Sequence, residues 1–351
     1  MRPSGKTVAA WAACAALCAC GSNPPFSYTP MPGPPHPGVP DVATPAEVGR
    51  PLPAGTWAEF RNVDFRFDED LVLRMRLLRG VMKGTGDRPV AFDQPDLFTM
   101  EISEAETSMG ARDLTALLGR YVFGYPDAPI RDLTVSPEAD GLHQKGILHK
   151  VIDIPFEMPA SVSVDPNGWI RIHPEKMTTC GLPGLGFMEA LGIALEDLID
   201  LAGAPPGIKI EQNDFLLDPL AVLPPPRTRG RLIAVRIEPG ALVQTFTATL
   251  GSEAAAMPTT PQMPIPDAPN YMYFWGGVLH FGKLFMPEVD MQVVDVSPAD
   301  PFDFFLDQYN YQLVAGFTHN ELDYGLTVHM VDYDELAPDA RGEAQVSGAA
   351  R

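Results

Sequence analysis

The sequence predicts an α+β protein: a mostly antiparallel, strongly curved β-sheet wrapped around two amphipathic helices. Three observations carry that expectation. Apolar and polar residues alternate over long runs, the period of strands with one face in a core and one in water. Glycine-containing turn signals separate those runs. Two stretches instead repeat their apolar residues at helical spacing.

In chain order, Leu71, Leu73, Met75, Leu77 and Val81 alternate with Arg74, Arg76 and Lys83, predicting a long strand. The first helix covers Ala111 to Phe123, where Leu114, Leu117, Leu118, Tyr121 and Val122 share one face. Ile130–Val135 and Leu142–Val151 form a hairpin around Ala139-Asp140-Gly141. Next, Ile152, Ile154, Phe156, Met158, Ala160, Val162 and Val164 face one way and Asp153 to Asp165 the other. Pro155 and Pro159 bar that run from being a fully paired central strand, so an edge or a bend is expected. Pro166-Asn167-Gly168 is a turn, and Trp169–Met177 returns with Ile170 and Ile172 inward.

The second helix covers Phe187 to Leu201, with Phe187, Leu191, Leu195, Leu198 and Ile199 in one stripe and Gly203, Pro205 and Pro206 as its stop. Strands then follow at Arg231–Glu238 and Ala241–Leu250. After a Pro-rich stretch come Tyr271–Met286, Val289–Val296, Phe304–Phe317 and Leu326–Asp332. The expected organisation is a signal peptide over 1–19, a Pro-rich tether over 20–56 and a curved-sheet domain over 57–255. A Pro-rich break over 256–270, a C-terminal β segment over 271–336 and a disordered tail over 337–351 complete it.

The N-terminus has the layout of an export signal. Arg2 and Lys6 precede an uncharged apolar run ending at Leu17, too short to span a bilayer that needs about 20 helical residues. Leu17-Cys18-Ala19-Cys20 resembles a lipobox, which implies cleavage before Cys20 and lipid attachment to it. The expectation is a periplasmic protein anchored to a bacterial membrane, the outer rather than the inner. Of the four cysteines, only Cys180 would remain free in the mature body, which excludes an internal disulfide. We read Cys180 as a small buried apolar residue.

The net charge of −20 argues against nucleic acid and against charge-driven binding to anionic headgroups. No nucleophile elbow, zinc-protease helix, P-loop or dinucleotide fingerprint is present, so no catalytic residue, cofactor or metal is assigned. Gly181-Leu-Pro-Gly184-Leu-Gly186 reads as a turn. His143, His149 and His173 could converge on zinc, and Asp295, Asp300, Asp303 and Asp307 on calcium, but solvated and turn-capping roles are preferred. Met75, Met82, Met100, Met158, Met177 and Met188 supply flexible side chains suited to adaptable apolar cavities.

Ile102-Ser-Glu-Ala-Glu, Asp113-Leu-Thr-Ala-Leu-Leu, Ile130-Arg-Asp-Leu-Thr-Val, Gly141-Leu-His-Gln-Lys-Gly146, Ile154-Pro-Phe-Glu and Asp165-Pro-Asn-Gly-Trp-Ile-Arg-Ile follow in that order. This order resembles periplasmic lipid-binding proteins linked to lipomannan elongation and, more loosely, AsmA-type and TULIP-like domains. The resemblance covers Glu101 to Leu217 and implies phospholipid held between a curved sheet and a helix. The expected function is therefore a membrane-tethered binder of lipid or another long apolar ligand. Its expected lining is Leu114, Leu117, Leu118, Ile154, Phe156, Met158, Leu191 and Leu195. One alternative is a scaffold lipoprotein with a solid core and a partner face at Tyr271–Trp275; a weaker one is a hydrolase.

Overall fold

The computed structural model describes residues 55–149, 153–175, 178–179, 182–183, 201, 203–321 and 325–337. The N-terminal half contains β1 (Thr56–Asp68), β2 (Leu71–Gly84), β3 (Val90–Ala91) and β4 (Phe98–Gly110). A short helix α1 (Ala111–Ala116) passes directly into a π-turn (Leu117–Val122). Then come β5 (Ile130–Glu138), β6 (Gly141–His149), β7 (Asp153–Val164), β8 (Ile170–Pro174), β9 (Thr178–Thr179) and β10 (Leu182–Pro183). They are followed by β11 (Ile208–Glu211), β12 (Asp214–Leu217), β13 (Arg227–Arg229), β14 (Arg231–Glu238) and β15 (Ala241–Thr247). The C-terminal part holds β16 (Tyr271–Phe281), β17 (Leu284–Asp295), β18 (Phe302–Phe305), α2 (Tyr309–Ala315), β19 (Phe317–Glu321) and β20 (Gly325–Met330).

Two open sheets result. The larger runs β14-β15-β4-β2-β1-β16-β17-β20-β19, with β13, β18 and β3 added beside β4, β1 and β16. Most of its pairs are antiparallel, but β17–β20, β13–β4, β18–β1 and β3–β16 are parallel. The smaller sheet runs β10-β9-β7-β8-β12-β11, with β6 and β5 continuing from β7.

This architecture corrects the predicted fold class. Among the described residues strand makes up 56% and helix 10%, so the fold is β-rich, and no pair of helices is wrapped by a sheet among them. The physical reason lies in the first helix. Its α-helical part is only six residues long, and the apolar positions Leu117, Leu118 and Val122 are buried by the π-turn that follows. The predicted helix over 187–201, with Leu191 and Leu195, lies outside the described residues, as do Cys20 and Cys180. A further correction concerns Phe304–Phe317, expected as strand, where α2 forms. Gln312 fixes that helix: its Nε2 donates to the Asp303 and Val331 carbonyls (2.7 and 2.8 Å), and its Oε1 accepts from Phe305 N–H (2.9 Å).

Local details follow the sequence where a turn or strand period is strong. Asp165 accepts backbone N–H bonds from Asn167 and Trp169 (both 2.8 Å), and Gly168 adopts φ 85°, closing the predicted β7–β8 turn. β7 is internal, paired with β6 along Asp153–Ala160. On its other flank, pairing with β8 starts only at Ala160. The Pro159 carbonyl accepts from Glu175 N–H on that flank (3.0 Å), so the missing proline donor faces an incompletely paired side.

β2 departs from simple alternation. A bulge between Met75 and Leu77 shifts its phase. Leu78 and Met82 therefore line the interior after Leu73 and Met75, where the alternation had put Leu77 and Val81. At Asn62 (φ 48°), β1 changes partners from β16 to β18, and the Asn62 side chain donates to the Pro269 carbonyl (2.9 Å). Residues 257–268 pack as a strap over Tyr271, Tyr273 and Trp275 of β16. Gln292 of β17 holds that strap by both the N–H and the carbonyl of Ile265 (2.7 and 2.9 Å).

Candidate functional site

The inner face of the larger sheet is an apolar wall. Phe60 and Phe65 of β1, Met75 and Met82 of β2, and Met100 and Met109 of β4 contribute to it. Leu242 and Phe246 extend it onto β15. Three pieces close the other side: Leu114 and Leu117 from the helical segment, Ile170 and Leu217 from the smaller sheet, and the Pro-rich stretch Pro219–Pro226. Between them lies a cavity of about 60 Å³. A water needs roughly 10–15 Å³ by this measure, so the space is a narrow slot. Its length comes from the sheet and its narrowness from thioether and phenyl side chains that fill it.

The helical segment sits over the slot because both sheets grip it. The Asp113 carboxylate accepts from Gly110 N–H (2.8 Å) and Val72 N–H (3.1 Å) and pairs with Arg74. This covers the helix start with an acceptor for otherwise unpaired donors. Thr115 Oγ1 accepts from Val135 N–H of β5 (2.9 Å). Tyr121 OH donates to Asp68 (2.6 Å), and Arg120 pairs with Asp68 and Asp70 (3.1 Å each). Burial raises the Tyr121 hydroxyl to about 12, with the Asp68 carboxylate adding to the effect.

The expected lining residues divide. Leu114 and Leu117 border the slot. Leu118 borders a smaller neighbouring cavity of about 30 Å³ between the helical segment and the smaller sheet. Phe156 and Met158 are buried and Ile154 is partly buried, all in the common core on β7. The resemblance had put a helix within one curved sheet; here the slot is closed by one short helical segment, a second sheet and a proline loop.

The sequence reading missed Thr107 and Gln244. They are direct register partners on β4 and β15, are 3% exposed, and line the slot among apolar residues. Thr107 Oγ1 has no hydrogen-bond partner. Their signal was present: each is a polar residue at an inward position, between Ala105 and Met109 and between Leu242 and Phe246. The slot's third polar liner, Thr228, is satisfied by donating to the Pro226 carbonyl (3.1 Å). Among the described residues that line it there is neither Lys nor Arg.

The other candidate chemistry is dispersed. His143, His149 and His173 each pair with a different carboxylate: Asp140 (2.7 Å), Asp153 (2.5 Å) and Asp214 (2.6 Å). Glu138, Asp140 and His143 bring three ligand atoms within 4.8 Å of one another at the surface. Ser136 faces His143 across the β5–β6 pair, but its hydroxyl donates to Glu138 (3.0 Å). In the acidic run, Asp295 accepts from Asn270 and Ser297, and Asp303 pairs with Arg66 (2.9 Å). The partner face expected at Tyr271–Trp275 is covered: Met272 and Phe274 enter the main core, and Tyr271, Tyr273 and Trp275 lie under the strap.

Among the described residues, no helix is long and apolar enough to cross a membrane. No protein-family model, curated protein or solved structure matches this chain.

Proposed function

We propose that this protein is an envelope lipoprotein, tethered to a bacterial membrane through Cys20, that binds a lipid or another long apolar ligand in the slot between its two sheets. The observation that carries this reading is an interior wall of phenyl, thioether and aliphatic groups spanning β1, β2, β4 and β15, with the proline-containing stretch 219–226 on its opposite side. Small-molecule sites run to about 300–1,000 Å³ and are mostly apolar with a few convergent polar groups. The slot has that lining chemistry in a contracted form. Met75, Met82, Met100 and Met109 line it, and thioether side chains with several rotatable bonds each suit apolar ligands of varied shape. Tether residues after Cys20, rich in proline, let such a body work beside a bilayer.

Titration with an environment-sensitive fluorescent acyl probe tests the binding. The expected result is saturable enhancement that Leu117→Trp, which fills the slot, abolishes while the fold persists by circular dichroism. Absence of saturable binding to the full chain overturns the reading.

A further inference from the structure

We infer that the ligand of this slot is a neutral acyl ester, with its ester oxygens seated at Thr107 and Gln244. This rests on the apolar-ligand reading and goes one step further, to the chemistry of the ligand's polar group.

A hydroxyl buried without a partner has lost its water without replacement, so such groups call for an explanation. Thr107 Oγ1 is one, on a residue that borders the main cavity. Its register partner on β15 is Gln244, whose amide can donate through Nε2. Together they offer two donors from adjacent strands at one spot on an otherwise apolar wall. An ester carbonyl has two acceptor lone pairs and no charge, and it matches two neighbouring donors.

The wall also discriminates against alternatives. A carboxylate or phosphate seated there would be buried without a cation, since neither Lys nor Arg is among the described residues that line the slot. A plain hydrocarbon would fill the apolar part but leave the Thr107 hydroxyl unpaired.

The test compares three probes of equal chain length, hexadecane, methyl palmitate and palmitate, by displacement of the fluorescent acyl probe from the full chain. The expected order puts methyl palmitate roughly three- to ten-fold tighter than hexadecane, the worth of one or two net hydrogen bonds, with palmitate weakest near neutral pH. Thr107→Val and Gln244→Leu, which keep size and remove donors, should erase the ester preference and leave hexadecane binding unchanged. Equal binding of ester and alkane, or an ester preference that survives both substitutions, overturns this inference while leaving the apolar-ligand reading intact. Binding of none of the three overturns the reading beneath it. Thermal melting of both variants separates loss of donors from loss of fold, and a variant that does not fold is replaced by Thr107→Ser, which must retain the preference.

Discussion

Asn62 holds a left-handed backbone (φ 48°) at the point where β1 exchanges β16 for β18. Asparagine tolerates this conformation because its short side chain bonds locally, here to the Pro269 carbonyl. Asn62→Ala should destabilise by about 1–2 kcal/mol and Asn62→Gly by less, measured by urea unfolding. Asp332 is a second residue with a readable consequence. Burial raises its carboxyl from 3.8 to about 8, despite the Asp303 N–H that it accepts, with Asp295, Asp334 and Glu335 adding to the rise. Burial likewise raises Asp64 to about 6. A carboxyl raised on folding favours the protonated folded state. Its stabilising contribution is complete below about pH 4 and is lost as pH rises through about 8. Asp332→Asn, which keeps an acceptor for Asp303 N–H, should therefore be more stable than the parent at pH 8 and converge with it near pH 4. Denaturant midpoints at the two pH values check this; a difference that does not change with pH would contradict it.

At the scale of elements, two glutamines act as clamps. Gln312 serves three backbone groups of β18 and of the chain after β20, and is fully buried. Gln312→Leu removes the partner of the Phe305 N–H and of the Val331 carbonyl, while the Asp303 carbonyl keeps the Tyr333 N–H (3.0 Å), and it should cost roughly 2 kcal/mol or more, visible as a lower denaturant midpoint. Gln292 holds the strap over Tyr273, and Gln292→Leu should make residues 257–268 cleavable by protease before global unfolding, with a smaller loss of stability. These elements also mark what the sequence revealed. Hairpins β5–β6 and β7–β8 were legible because the period-2 pattern and the Asp-Gly and Asn-Gly turns act locally. The bulge in β2 was not, because it depends on how β4 pairs with it, and it moves Leu78 and Met82 into the place of Leu77 and Val81. The clamp that turns 309–315 into helix was equally hidden, since its three partners are made by β18 and the end of β20.

For the whole molecule, a larger mixed sheet and a smaller antiparallel one share a common core, and the narrow slot is one place where that core is incomplete. Leu114 and Leu117 were legible as buried residues because a helical apolar stripe must be covered, and both border the slot. Thr107 and Gln244 lie far apart in the chain, and their meeting is a property of the β4–β15 pairing, which no local pattern encodes. The central claim is that this slot opens to hold an apolar ligand. Native mass spectrometry of the full chain, purified from membranes without detergent, tests it most directly. A discrete lipid adduct is expected on the parent and not on Leu117→Trp; a parent mass with no adduct, or an adduct undiminished in the filled variant, overturns it.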